Sequence, residues 1–429
     1  MDSEQQRHVQ TAQEARLVDV SLAASGSRTQ PGLLEQFLAP LAATGSVGEL
    51  QERLLESLQR LNDLSSFKRC DMEVHPGLKP DSALVKLNFE PLRWWGLSMG
   101  VDANNEGART TTTALFRNLR GRCDETRLSF EYKPTSSRTG VEISHLDRLF
   151  VPGTWQGIYA LRNYNDEVDV NLVETGYEGS FTLKSLDGVH QFCIGRAVRT
   201  SLIAWERASM ELLKGELPVN ARNRVSYTFC WDGRNDKLAP TKGHFLSVTN
   251  ELAYGADTRY HKVEIRGKQY FPVSARVALE FSGFLGTLLP WQHSKHHVTD
   301  RYRGLYMKGF RSVGPRTPAA NPSLAGKFHL DGDDLGQTSQ LSLETKLLFY
   351  ATPVLHSVGL VPFIYANAIG INPLAMTRPV DYVRSQVRTS VGFGLGWSMA
   401  LGRIEFSYAS KVWSKPGDYP AEFQVLFVS

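Results

Sequence analysis

Beyond about residue 93, apolar and polar residues alternate one for one over most of the chain. Leu128, Phe130 and Tyr132 take turns with Arg127, Ser129 and Glu131; Val225, Tyr227, Phe229 and Trp231 do so with Ser226, Thr228 and Cys230; Ile404, Phe406 and Tyr408 do so with Glu405 and Ser407. A period of two places one set of side chains on each face of a strand. About 16 such segments fit between Trp94 and Ser429, roughly one per 21 residues. That leaves about ten residues per strand, the length a tilted strand needs to cross a bilayer. One apolar and one polar face suit a closed barrel with lipid outside and water inside, because hydrocarbon cannot satisfy a free sheet edge. A large soluble β-sandwich or propeller would alternate in the same way, although no repeat of fixed length points to a propeller.

The first ~92 residues carry a different rhythm. Leu17 to Leu22 reads as a short strand. Pro31 opens a predicted helix whose apolar face is Leu33, Leu34, Phe37, Leu38 and Leu41. Ser46-Val47-Gly48-Glu49 has the spacing of a capping box, and Leu50, Leu54, Leu58 and Leu61 form one stripe of the helix after it. Two alternating strands follow, with Cys70, Met72 and Val74 on one and Val85, Leu87 and Phe89 on the next. The expected organisation is a flexible tail (1–13), a small α+β domain (14–92) and a barrel (93–429), an all-β fold with a minor α+β part.

Composition changes this picture little. The 429 residues exceed one ordinary globular core, and 48 basic against 44 acidic residues leave a net charge of +4, which argues neither for nucleic acid nor for an acidic substrate. No run of 18 apolar residues occurs, which excludes a membrane helix but not membrane strands. Met1 to Arg16 has neither a signal-peptide core nor the acid-poor character of an Arg-rich presequence, so synthesis in a cytosol is expected. Cys70, Cys123, Cys193 and Cys230 lack metal-ligand spacing and read as reduced thiols. His293, His296 and His297 have no spaced partner ligands, and Asp331, Asp333 and Asp334 do not follow a calcium-loop pattern. Gly392, Gly394 and Gly396, two apart and outside any strand–loop–helix unit, are not a nucleotide loop; they clear one strand face for a close neighbour. No nucleophile elbow, Walker loop or paired catalytic carboxylates appear, so no enzyme and no cofactor are expected. Trp94, Trp95, Trp155, Trp205, Trp291, Trp397 and Trp413 read as interface girdles.

The connection from about Leu289 to about Gln340 is roughly ten times the length of a hairpin turn. It contains Lys308-Gly309-Phe310-Arg311, with Gly314 and Pro315 just beyond. This segment resembles the Arg-Gly-Phe/Tyr motif in the sixth loop of the outer-membrane β-barrel assembly family, where the loop folds into the lumen. Other segments agree in order. Asn104 to Gly107 and Asn118 to Arg122 look like the first hairpin and the following turn of the family's mitochondrial branch, the core barrel of the sorting and assembly machinery. Asp232, Arg234 and Asn235, with Pro240 to Gly243, resemble a strand-end motif. Gly392 to Gly396 and the run after Arg403 resemble the penultimate strands. Two departures stand out. Lys308 replaces the usual Arg and lacks its bidentate fork, for which Arg311 is a neighbouring substitute; and the last strand, Pro420 to Ser429, has Phe423 in place of a glycine.

The resemblance implies a ~16-stranded antiparallel transmembrane barrel with one N-terminal POTRA domain in the intermembrane space. It implies insertion of β-barrel precursors into the mitochondrial outer membrane, with those precursors, accessory subunits and the lipid bilayer as partners and no nucleic acid. Lys308 is expected to dock on Glu344, which lies opposite the apolar parity of its strand, or on Asn367, which sits where the family presents a polar acceptor. Trp95, Leu97, Ser98, Gly100 and Val101 on the first barrel strand would pair with a client's last strand. A passive solute pore, or a polypeptide translocation pore of the same family, remains open.

Overall fold

The structure, a computed structural model, describes residues 19–25, 41, 47–62, 67–76, 82–104, 107–133, 138–151, 155–169, 171–204, 208–215, 219–236, 239–255, 258–291, 298–302, 308–312, 336–350, 359–373, 379–399, 402–415 and 418–428. At the N-terminus, β1 (Asp19–Ser25), β2 (Phe67–Pro76) and β3 (Ser82–Pro91) form a sheet in the order β1-β3-β2, with β1 parallel to β3. A parallel pair needs a crossover, and α1 (Val47–Asn62) lies in that connection, against β2. Leu50 of α1 is buried together with Phe67, Cys70, Val85 and Phe89 of the sheet, and the Phe67 and Phe89 rings are 4.7 Å apart. The expected early strand is found as β1, starting at Asp19. The helix expected over Pro31 to Leu41 lies outside the described residues except for buried Leu41. Ser46 of the expected capping box is also outside them, while Glu49 accepts from Arg53 at 2.6 Å, one turn on.

The rest of the chain builds one 16-stranded sheet. Its first strands are β4 (Trp95–Asn104), β5 (Gly107–Arg117), β6 (Glu125–Lys133), β7 (Arg138–Val151), β8 (Trp155–Asp169) and β9 (Leu172–Ser185). They continue through β10 (His190–Ile203), β11 (Val219–Asp232), β12 (Gly243–Gly255), β13 (Arg259–Ser274) and β14 (Val277–Pro290). After β15 (Phe310–Ser312), which is not part of the wall, come β16 (Ser339–Phe349), β17 (Leu360–Ile371), β18 (Val387–Met399) and β19 (Gly402–Trp413). The chain ends with β20 (Tyr419–Pro420) and β21 (Phe423–Val428). Wall neighbours are antiparallel throughout, and β14 pairs directly with β16. The strand count agrees with the alternation, but lengths run from six residues (β21) to sixteen (β13) instead of a uniform ten.

Burial is inverted relative to a soluble protein. Leu97, Met99, Phe130, Ile194, Leu343 and Phe393 are exposed, whereas Glu280, Lys346, Asn367, Ser390, Glu405 and Ser407 are buried. Apolar outside and charged inside is the arrangement of a wall bathed in hydrocarbon. Among the described residues no helix is long and apolar enough to cross a membrane.

The interior is filled in layers. In one, Arg222 is paired with Asp300 and donates to Tyr260 Oη at 3.0 Å, while Arg199 meets Glu174 at 3.2 Å. An apolar cluster of Leu172, Ala208, Leu212 and Val298 draws on α2 (Met210–Gly215) and a single 3-10 turn at Val298–Asp300. The other layer holds the tip of the long connection.

Candidate functional site

The connection leaves the wall after Pro290 and returns at Ser339. In between, Lys308 is buried inside the barrel, and its ammonium lies 2.7 Å from Glu344 of β16 and 3.0 Å from Glu405 of β19. Lys346 of β16 approaches the same carboxylates at 3.2 and 3.3 Å, and Glu280 of β14 at 3.9 Å. Lys268 of β13 brings a third cation into electrostatic range of Glu280 and Glu405. Three acids thus face three bases, which is how buried charge can be tolerated. The Phe363 and Tyr365 rings lie 5.7 Å from the Lys308 ammonium. These rings occupy the space left by the strand glycines: a Cβ on Gly394 would come within 2.4 Å of Phe363, and one on Gly392 within 2.8 Å of the Tyr365 hydroxyl. The glycines therefore clear room for aromatic side chains beneath the loop.

Asn367 of β17 meets the backbone of Lys308 instead of its ammonium. Its amide donates to the Lys308 carbonyl at 3.2 Å, and Ser390 of β18 donates to the same oxygen. Ser390 N–H in turn donates to Asn367 Oδ1 at 3.2 Å. Sequence reasoning missed Glu405, Lys346, Ser390 and Glu280. The available signal was strand parity, since each falls opposite the apolar positions of its strand.

Gly309 adopts φ +90°, and a Cβ there would lie 2.8 Å from Ser390 Cβ, so both backbone and space call for glycine. Its N–H donates to Gln424 Oε1 at 2.9 Å and its carbonyl accepts from Ala421 N–H at 2.9 Å. Phe310 is buried against Ile369 and Ile371, with Val412 beside them. The strand expected to run unbroken from Pro420 is split. Tyr419–Pro420 leave the wall to pair with β15, in the register Phe310↔Pro420 and Ser312↔Tyr419, and the wall resumes at Phe423. Pro420 has no N–H to give to a wall ladder, and Phe423, at the family's glycine position, points outward and is 64% exposed.

The sheet's two outer strands are β4 and β21. They approach within 8 Å between Cα atoms, yet no hydrogen-bonded register joins them among the described residues. On β4, Trp95 and Leu97 are exposed on the apolar parity, Ser98 and Gly100 have the other parity, and Val101 pairs through its backbone with Thr110.

At the end of β11, Asp232 and Arg234 form a two-point pair at 2.8 and 2.7 Å. Asn235 Oδ1 accepts from the Thr241 and Lys242 amides at 3.1 and 3.0 Å. Gly243, at φ +105°, has no room for a side chain: a Cβ there would lie 2.2 Å from the Gly233 carbonyl oxygen. These residues build the turn between β11 and β12, at the strand end where the sequence motif placed them. The Arg311 side chain, Gly314, Pro315, Trp205, the three histidines and the three aspartates lie outside the described residues. No metal-binding cluster occurs among the described residues.

Residues 101–427 match the model of the Omp85 superfamily domain. The chain belongs to that superfamily. It is 26% identical to a SAM50-like protein of Schizosaccharomyces pombe over 224 residues, 49% of this chain and 44% of that one. It is 23% identical to the sorting and assembly machinery component 50 homolog B of Xenopus laevis over 312 residues, 68% of this chain and 64% of that one. It thus spans less than two thirds of either relative. Among solved structures, BamA from Haemophilus ducreyi lacking POTRA domains 1–3 aligns over 96% of this chain and 84% of that one, with TM-score 0.74 and 16% identity.

Proposed function

We propose that this superfamily member folds and inserts β-barrel precursors into the mitochondrial outer membrane, through the seam between β4 and β21. The observation that carries the reading is the unladdered approach of those two strands. An edge of this kind offers a row of N–H and C=O groups as a template, and strand addition supplies affinity through the backbone. A client's C-terminal strand would pair with β4 at Trp95, Leu97, Ser98, Gly100 and Val101, so that its amides never face lipid unpaired. In this reading residues 14–92 form a POTRA domain facing the intermembrane space; the β1-β3-β2 sheet with its crossover helix supports it. The Lys308 loop docks on Glu344, Glu405 and Asn367 to hold the lumen side of the seam, and accessory subunits complete the machine. No covalent step is required.

Disulfide trapping tests this. A cysteine at Ser98 should form an adduct with a cysteine in the last strand of an arrested client. Absence of any adduct, with the client still bound, would reject β4 as the pairing edge. Depletion separates insertase from pore: several unrelated barrel proteins should fall together before permeability changes.

A further inference from the structure

We propose that Gln424 is a positioning residue that fastens the last wall strand to the lumen loop and so sets the width of the β4–β21 seam. The inference rests on the reading of that seam as the client site. Within the wall, β21 is laddered on one side, over six residue pairs with β19 from Arg403↔Val428 to Tyr408↔Phe423, and no ladder joins it to β4 among the described residues. A second hold on this segment comes from inside. Gln424 is buried, its Oε1 accepts from Gly309 N–H at 2.9 Å, and its Nε2 donates to the Phe310 carbonyl. A primary carboxamide carries one acceptor and two donors. It can therefore meet the N–H of one loop residue, Gly309, and the C=O of the next, Phe310. Leucine can make neither bond, and an ionised glutamate can make only the first.

The hold extends upstream, where Ala421 N–H donates to Gly309 and β20 pairs with β15. The loop is itself anchored by Lys308 to β16 and β19. Position is thus transmitted from the buried acids through Lys308, Gly309 and Phe310 to Gln424 and β21. Cutting it at Gln424 frees the seam strand while leaving Lys308 docked.

The test uses the full chain in lipid nanodiscs, with its four cysteines replaced by alanine and spin labels at Leu97 and Phe423, both lipid-facing. Gln424→Leu should lengthen and broaden the label–label distance, by up to about 5 Å, one inter-strand spacing. Gln424→Glu should behave like wild type at low pH, where the protonated carboxyl regains its donor, and like Gln424→Leu at high pH; the wild-type distance should be flat over the same range. A disulfide between Ser312→Cys and Tyr419→Cys, formed before labelling, should return Gln424→Leu to the wild-type distance. Unchanged distances in Gln424→Leu, or a pH-independent wild-type distance in Gln424→Glu, overturn the proposal. If Gln424→Leu does not fold, Gln424→Glu decides alone, since its low-pH form is close to isosteric with the native residue. Client insertion is measured in parallel. Its absence in the wild type would sink the client reading and leave the seam measurement valid.

Discussion

Replacing Lys308 with methionine keeps the stem and removes the ammonium. Glu344 and Glu405 then lose a cation at 2.7 and 3.0 Å, and three carboxylates, part-buried Glu344 with buried Glu280 and Glu405, face two bases, Lys346 and Lys268. At an effective dielectric of about 20, each such contact is worth roughly 5–6 kcal/mol of attraction, most of it offset by desolvation. Removing one partner of a buried pair costs about 3–5 kcal/mol because the other charge stays behind. That loss should appear as local opening of the loop tip, read by hydrogen exchange at the Gly309 amide, which is closed by its bond to Gln424. At a factor of ten per ~1.4 kcal/mol, exchange should quicken by roughly 10²- to 10³-fold or more. Lys308→Met/Glu344→Gln should recover part of it by removing the orphaned charge. Lys308→Arg, which restores a fork between Glu344 and Glu405, should stay within about tenfold of wild type. Gly309 exchange in Lys308→Met within a factor of about three of wild type would refute the claim that this ion network pins the loop.

Gly309→Ala should release the same tip, since the new Cβ meets Ser390 at 2.8 Å on a φ of +90°; wild-type exchange at Phe310 would count against it. Gly243→Ala places a Cβ 2.2 Å from the Gly233 carbonyl and should lower the temperature at which the folded barrel loses its compact electrophoretic mobility, by the equivalent of about 1–3 kcal/mol. An unchanged midpoint would show that the β11–β12 turn is not rigid. Burial, with Asp71 adding to it, pushes the Cys70 thiol up to about 11. Its maleimide reactivity should therefore rise only above pH 10. Because the folded value lies above the ordinary thiol value, the stability it contributes is complete below about pH 9 and declines as pH rises toward 11. A reactivity midpoint near 8.5 would contradict this.

The wall was legible because lipid on one side and a charged lumen on the other impose a period of two that local sequence displays. Glu344 was found by that parity. Glu405 and Lys346 obey the same parity, but their importance depends on which strands a 16-stranded closure brings opposite the loop, and one strand's sequence does not reveal that. Asn367, expected to meet the ammonium, donates to the Lys308 carbonyl instead, a choice made by backbone path. Nothing local marks Gln424, and before Phe423 the local signal is only Pro420, which cannot donate to a ladder but does not say where the strand goes instead. Both the Gln424 contact and the strand's path follow from a pairing between segments more than a hundred residues apart, Gly309 and Gln424 being separated by 115.

That separation bears on the order in which this chain can itself be built. Tyr419, Pro420 and Gln424 find their inward partners only after residues 309–312 are already inside. Contacts of such long sequence separation form late, once the shorter closures have been made. The wall must therefore curl around its own loop before its final ten residues can settle. A chain whose loop is left outside would reach its C-terminus with the bolt missing: β21 could still lie along β19, but the segment before it would have no strand to join. Completion of the barrel thus waits on entry of the loop.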